Sequence, residues 1–444
     1  MTRVTTLLAC VMLAAPVSNA AGQTAPIRLT LADAIARGMA NSHRIAEVGA
    51  REQGAKAAAQ IAGLANKPMI GATAGYSRTN HVPEFAFVQP GGNRLVVYPD
   101  IPDNFVSRLS FQWPIFTSGR ADALERAAAA EVSAVGSDIE TARADLRLEI
   151  TRAYWAAVTA AETERVLEEA AARVTAQVTD AQQRFAVGLI PPNEVTSLEA
   201  QRSRERAQLI EAMNLHESAL VELGRLIGAP ADAVIEPSDS IEGSTLRSKQ
   251  FNVPGLIEVA LTDRPELKAL ASRVEAAEAR RKAASAGNKP TINVGGGVDY
   301  ANPNPRIFPR KGEWQESWDV GVNVNWNFFD FGRTRAQVAE AAAAVKATRE
   351  RAAELESLVS AEVRLRFLDW ESARALMLAT EDAIKSAGEA RRVVADRFAA
   401  GVATSTDVIV AQVALLETEL ARTRALANLR LVEARMERAL GGWK

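Results

Sequence analysis

The chain predicts a mixed α and β membrane protein with an internal duplication. Four amphipathic strands supply part of an oligomeric transmembrane β-barrel, and very long helices extend it as an antiparallel coiled coil. Three observations predict this. Sequence segments recur at a constant spacing, four segments alternate between apolar and polar residues, and two stretches of more than sixty residues contain no proline.

The first residues have the pattern of a secretory signal. Arg3 is followed by a largely apolar run over 4–15, then Pro16 and the small-residue site Ser18, Asn19, Ala20, so residues 1–20 are expected to be removed. Leu7-Leu8-Ala9-Cys10 has the form of a lipid-attachment box, but its apolar segment is too short after Arg3. Cleavage after Ala20 removes the single cysteine, so no disulfide is expected and packing with oligomerisation must supply stability. No later stretch offers about 18 uncharged apolar residues, which excludes a spanning helix and leaves strands as the only membrane-crossing element. The net charge is -2 with both signs interleaved, so no basic surface for nucleic acid is expected. Apolar residues make up 48%, with alanine supplying much of the share, which suits closely packed helices better than a thick core.

The duplication fixes the layout. QWPIFTSGR at 112–120 returns as NWNFFDFGR at 325–333, RFAVG at 184–188 returns as RFAAG at 397–401, and 226–228 returns at 439–441, always 213 residues on. Asn66-Lys67-Pro68 returns as Asn288-Lys289-Pro290 after 222 residues, so the first copy holds nine extra residues, within the Pro/Gly-rich loop at 81–103. The first repeat spans 21–228, with a helix, strands at about 69–80 and 104–116, a long helix over 118–186 and a helix over 193–228. The second spans 255–441, with a helix, strands at about 291–301 and 317–329, a long helix over 333–399 and a helix over 404–440. Residues 229–254 between them read as a connector that can add a belt partway along the helices.

The strands rest on alternation. From Trp318 to Phe328 the even positions are Trp318, Val320, Val322, Val324, Trp326 and Phe328, against Asp319, Gly321, Asn323, Asn325 and Asn327. Leu109, Phe111, Trp113 and Ile115 oppose Arg108, Ser110 and Gln112, and Ile292, Val294, Val298 and Tyr300 oppose Asn293, Gly295, Gly297 and Asp299. The segment from Ile70 to Ser77 alternates more weakly. Such lengths suit tilted strands crossing a bilayer. Of the chain's 24 aromatic Phe, Trp and Tyr residues, 16 lie in 69–116 or 291–331, as expected if Tyr76, Trp113, Tyr300, Trp318 and Trp326 stand at membrane interfaces. The competing reading is of hairpins packed on a soluble core, but the rest of the chain offers few large apolar residues to cover them.

The long helices rest on spacing. Leu146, Ile150, Ala153, Ala157, Ala160, Glu164, Leu167, Ala171, Val174, Val178, Ala181 and Phe185 recur at steps of four and three, and only Glu164 interrupts the apolar seam. A looser seam runs through Val359, Val363, Trp370, Ala373, Met377, Ile384, Ala387, Val394 and Phe398. Both arms end at a glycine, Gly188 or Gly401, beside which the chain can reverse, and Pro191 with Pro192 restarts a helix near Asn193.

Four strands cannot close around a pore, and hydrocarbon does not tolerate open edges, so oligomers totalling 8, 12 or 16 strands are expected. Helices this charged must project into water for about 100 Å. A pore joined to a long water-side tube is a conduit.

With these features in place, the sequence resembles the TolC-type outer-membrane efflux proteins (outer membrane factors) over nearly the whole mature chain, from LTLADAIARGMA at Leu29 to Leu440. The carriers are the duplicated layout, the W-x-x-F-x-x-G-R strand exits at Trp113 and Trp326, and the paired RFAVG and RFAAG turns. The resemblance implies a homotrimer with a 12-stranded barrel in the outer-membrane lipid and a helical periplasmic tunnel. The tunnel opens on engaging a periplasmic adaptor (membrane fusion) protein and an inner-membrane pump or ABC transporter, for efflux or type I secretion. It also implies adaptor contacts at Arg184, Phe185, Gly188 and Leu189 in the first copy and Arg397, Phe398, Gly401 and Val402 in the second. The constriction maps to Asp407, with Glu194 matching an acidic latch partner. Val410 and Ala403 stand where some members carry a second acid and a latching arginine, so Glu194 is expected to lack its mate. The alternative for Asp407 is a carboxylate in the first turn of a helix.

Nothing suggests catalysis or a cofactor. His43, His81 and His216 are scattered, no phosphate loop or nucleophile elbow occurs, and Gly295-Gly296-Gly297 reads as close-packed strand. His216 is expected to be a surface residue without a role. A soluble periplasmic coiled-coil adaptor or scaffold shares long helical hairpins, but would lack strands with aromatic ends. An enzyme with a helical insertion has no supporting feature.

Overall fold

The computed structural model describes residues 26–242 and 252–442. The expected leader over 1–20, its lipid-box variant at Cys10 and part of the 229–254 connector lie outside the described residues.

In the first copy, β1 (Ile27–Leu29) leads to α1 (Leu31–Asn41), α2 (His43–Gly63), β2 (Met69–Arg78), β3 (Phe85–Val88), β4 (Arg94–Tyr98), β5 (Asp103–Phe116), α3 (Arg120–Ala186) and α4 (Pro192–Ile227). After β6 (Ile235–Pro237), the second copy gives α5 (Val253–Asp263), α6 (Pro265–Ala284), β7 (Thr291–Asn302), β8 (Gln315–Asn325), α7 (Arg333–Ala399) and α8 (Ser405–Ala439).

The four long strands form one antiparallel sheet in the order β2, β5, β7, β8. Its register keeps the two faces separate. Leu109 stands opposite Ala72 and Val298, and Val298 opposite Trp318, while one residue along Arg108 stands opposite Thr73 and Asp299. The apolar face is exposed, with Leu109, Val298, Trp318, Val320, Val322 and Val324 all open, and the strands contact chiefly one another. That outcome removes the soluble-core reading, because no layer among the described residues covers the face.

Two strand expectations need correction. Pairing in β8 stops at Asn325, so Trp326 and Phe328 lie past the strand expected to reach about 329. Asn325 pairs with Thr291, the first residue of β7, and Pro290 before it has no N–H to offer. Asp330 then caps α7, accepting from Gly332 N–H at 3.0 Å and Thr334 N–H at 2.8 Å. The Pro/Gly-rich loop of the first copy also holds the small hairpin β3 and β4, whose turn uses Gly91 and Gly92 at positive φ. Arg310 from the β7 to β8 loop braces it, donating to Tyr98 Oη at 2.7 Å.

The helices α3 and α7, of 67 residues each, run about 100 Å away from the sheet. Near the sheet α2 lies on α3, and α6 lies between α3 and α7. Farther out α4 and α8 take over those places. The helix expected at the start of each copy is divided in two. Ser42 interrupts the first, its Oγ accepting from Ile45 N–H at 3.3 Å, and Arg264 followed by Pro265 interrupts the second. These breaks serve the stacking, because Asn41 Nδ2 donates to Ile227 O at 3.1 Å and Arg264 Nε to Ala439 O at 2.6 Å, satisfying the last carbonyls of α4 and α8.

At mid-length β1 pairs in parallel with β6 of the connector. Tyr154 of α3, fully buried, holds both. Its hydroxyl donates to Asp239 Oδ2 at 2.9 Å, accepts Asp239 N–H at 3.1 Å and lies 3.2 Å from Leu29 O, inside a cluster with Ile150, Leu223, Ile227 and Ile235. The α3 seam is buried at nearly every position from Leu146 to Ala181. Its interruption is filled: Glu164 Oε2 lies 2.6 Å from His216 Nδ1 of α4, which corrects the expectation that His216 has no structural part.

Candidate functional site

Three regions carry the expected functional residues: the two rims of the sheet, its polar face, and the helix turns far from it.

The two tryptophans at the strand exits occupy equivalent places. Trp113 Nε1 donates to Asn66 O at 3.0 Å and Trp326 Nε1 to Asn288 O at 2.9 Å, so each repeated Asn-Lys-Pro turn supplies the acceptor for its own repeated tryptophan. At the other rim Tyr76 meets Phe105 and Phe105 meets Trp314 with tilted rings, and Trp314 stacks on Tyr300, with centroid separations of 5.0, 5.8 and 5.0 Å. Trp314 was not singled out from the sequence, since it lies in a loop outside the alternation. Trp318 stands exposed on the apolar face one step inward.

On the polar face Arg108 bridges Asp299 at 2.6 Å and Asp319 at 2.8 Å, and Asp319 also meets Arg306 at 2.8 Å. This network ties β5 to β7 and β8. Gly297 makes the reach possible, because a Cβ there would sit 3.1 Å from Arg108 Cζ. The sequence places Arg108, Asp299 and Asp319 at polar positions of the alternation, which marks their face and not their pairing.

The far ends of α3 and α7 turn alike. Gly188 (φ 76°) donates to Phe185 O at 2.9 Å and Leu189 N–H to Arg184 O at 2.9 Å. Gly401 (φ 74°) donates to Phe398 O at 3.0 Å and Val402 N–H to Arg397 O at 2.9 Å. Both are Schellman turns, whose left-handed residue explains the shared glycine. Phe185, Leu189 and Val402 are exposed. The two turns are joined within the chain, with the Arg184 guanidinium 5.2 Å from the centre of the Phe398 ring and 2.9 Å from Asp180.

Glu194 Oε2 accepts Ser405 N–H at 2.8 Å, so the first turn of α4 caps α8 with a carboxylate, while Ala403 stands where a latching arginine would. Asp407 sits in a capping box: its Oδ2 accepts Thr404 N–H and the Thr404 hydroxyl, each at 2.9 Å, while Asp407 N–H points to Thr404 Oγ1 at 3.3 Å. The backbone and hydroxyl donors of Thr404, helped by the charge of Arg397, hold its carboxyl below the usual carboxylate range. The alternative, a carboxylate in the first turn of a helix, is therefore present, and the carboxylate also remains exposed on α8. No helix among the described residues is long and apolar enough to cross a membrane.

Both repeats, residues 35–229 and 256–442, match the outer membrane efflux protein family. The chain belongs to that family. It is 26% identical over 302 residues to the outer membrane protein TolC of Vibrio cholerae, covering 67% of each chain. It is 24% identical to the pyoverdine export outer membrane protein OpmQ of Pseudomonas aeruginosa, covering 68% of this chain and 61% of that one. The fold is that of the outer membrane protein VceC of Vibrio cholerae, with a TM-score of 0.76 at 22% identity over 93% of this chain and 96% of that one. The protein is an outer-membrane efflux or secretion channel component with a large periplasmic portion, and its family is one of channels rather than enzymes. Such channels are homotrimers that work with adaptors and inner-membrane pumps.

Proposed function

We propose that three copies form the exit duct of a tripartite efflux or type I secretion assembly, taking substrates from a periplasmic adaptor and an inner-membrane pump or ABC transporter. The observation that carries this reading is the open four-stranded sheet, apolar outside and polar inside, that continues directly into two helices of 67 residues. Its edge strands β2 and β8 run in opposite directions, so β8 of one copy pairs antiparallel with β2 of the next, and three copies give 12 strands with no edge left in lipid. In this reading Trp113 and Trp326 belong to the periplasmic rim, and Tyr76, Tyr300 and Trp318 to the outer one. Arg184, Phe185, Gly188, Leu189, Arg397, Phe398, Gly401 and Val402 receive the adaptor. Asp407 from three copies forms the constriction, with Glu194 fastening the two coils of each copy beside it. A soluble adaptor or scaffold would leave the apolar sheet face unexplained. The test is purification from outer membranes in mild detergent, followed by mass measurement and planar-bilayer recording. A trimer with discrete conductance steps is expected. A salt-extractable monomer without conductance overturns the reading.

A further inference from the structure

One boundary between the two sequence copies lies inside the chain, where β5 and α3 of the first meet β7 and α6 of the second. The equivalent boundary at β8 and α7 is open. An offset of 222 residues carries α1, α2 and β2 onto α5, α6 and β7, and one of 213 carries β5 and α3 onto β8 and α7. The register agrees, since Met69 opposite Gln112 becomes Thr291 opposite Asn325.

At the inner boundary β5 outruns its partner β2. Pairing with β2 ends at Gln112, but β5 continues to Phe116 because Trp113, Pro114 and Phe116 stand opposite Val294, Asn293 and Ile292 of β7. β8 stops at Asn325, short of Phe329, the counterpart of Phe116. The neighbour that would extend it is a second copy's β2. Carried to the open boundary, the inner register sets Val322 opposite Tyr76 of that copy, Asn325 opposite Thr73, Trp326 opposite Ala72 and Phe329 opposite Ile70. Apolar positions then meet apolar ones and polar meet polar, as a sheet with one wet face requires.

The residues that follow the strands differ in kind. Ser118 and Phe331 share a left-handed backbone, at φ 51° and 53°, just ahead of the glycines that cap α3 and α7. Ser118 Oγ donates to Pro290 O at 2.6 Å across the inner boundary. Phe331 has no hydroxyl to offer and is 93% exposed. A phenylalanine seldom adopts this backbone, and a ring left in water contributes nothing that would hold it there. The opposite side of the boundary changes in step. Ala283 of α6 and Ala286 just beyond it are 5% and 4% exposed, while their counterparts, Ile61 of α2 and Leu64 just beyond it, are 72% and 62% exposed. The inner boundary thus carries a hydroxyl and two alanines, and the open one carries large apolar side chains on both sides.

We infer that the seam between subunits repeats the register of β5 on β7, extending β8 through Phe329, and that Phe331 closes it by seating on Ile61 and Leu64 of the next copy. This rests on the trimeric channel reading and names the residues by which one copy holds the next at the periplasmic rim. Burial in that seat supplies the apolar contacts that offset the unfavourable backbone of Phe331.

The register is tested by disulfide crosslinking of the full-length protein in isolated outer membranes, with the single variants as controls for Cys10. Thr73→Cys with Asn325→Cys, both on the polar face, is expected to give covalent dimers and trimers that a reductant dissolves. Pairs displaced one step along that face, Gly71→Cys or Gly75→Cys with Asn325→Cys, should give about tenfold less, because diagonal neighbours lie beyond disulfide reach. The seat is tested by heat dissociation of the detergent-purified trimer. Phe331→Ser, which installs the first copy's own residue, is expected to speed dissociation about tenfold, and Phe331→Leu to preserve most of the wild-type rate. In a background of Ile61→Ala and Leu64→Ala, Phe331→Ser should add little. Preferred crosslinking of a displaced pair overturns the register. An unchanged rate in Phe331→Ser overturns the seat, and so do additive losses, which would make Phe331 a lipid-facing anchor. A wild-type protein that yields neither trimer nor conductance removes the channel reading, and this seam with it.

Discussion

Asp407 shows how one carboxylate can serve two demands. Its Oδ2 is committed to Thr404, which makes it part of the helix start, while its exposure leaves negative charge at the entrance to α8. Its folded pKa is depressed, so the stability it contributes is present above its unfolded value and is lost as pH falls through the folded one. The cap at the start of α8 should therefore fray below the ordinary carboxylate range. Asp407→Asn is expected to leave the assembly intact, lower cation preference and weaken block by divalent cations, because asparagine can still accept from Thr404 but carries no charge. Reversal potentials in asymmetric salt, wild type against variant, check this. Identical selectivity would confine Asp407 to capping.

Each element behaves according to its pattern of faces or turns. In β8, Val322 belongs to the exposed apolar face and Asn323 to the polar one. Val322→Arg should cost about 2 to 4 kcal/mol and reduce folded trimer in heat-modifiability gels, whereas Asn323→Arg should be tolerated. Equal losses in the two variants would falsify the assignment of faces. At the turn after α7, Gly401 has φ 74° with open space around its missing Cβ. The obstacle to Gly401→Val is thus conformational rather than steric crowding by neighbours, at about 1 kcal/mol or more. Assembly should survive while crosslinking to an adaptor and transport decline. Full transport by a correctly assembled variant would take the turn out of adaptor recognition.

Across the whole molecule, the belt at mid-length joins the start of the first copy to the connector that follows it. Tyr154 carries three polar contacts from a fully buried site, and its hydroxyl is held un-ionised, its pKa pushed up to about 12 chiefly by burial. Tyr154→Phe keeps the ring but leaves the carboxylate and N–H of Asp239 without this partner, so about 1 to 3 kcal/mol of local stability should be lost. Limited proteolysis near the connector would detect it, with cleavage rising in the variant. A cleavage rate equal to wild type would mean that apolar packing alone holds the belt.

The sequence by itself determined the duplication, the two faces of the strands, the great length of α3 and α7 and the glycine turns. Each of these is written in residues close along the chain, as a period of two, a seam of three and four, or a single position needing positive φ. Tertiary structure alone decided the rest. Glu194 finds Ser405 across 211 residues, Arg264 reaches Ala439 across 175, and Arg108 reaches Asp319 across 211. No local pattern marks such partners, because a hydrogen bond between distant segments depends on register and stacking that only the folded chain sets.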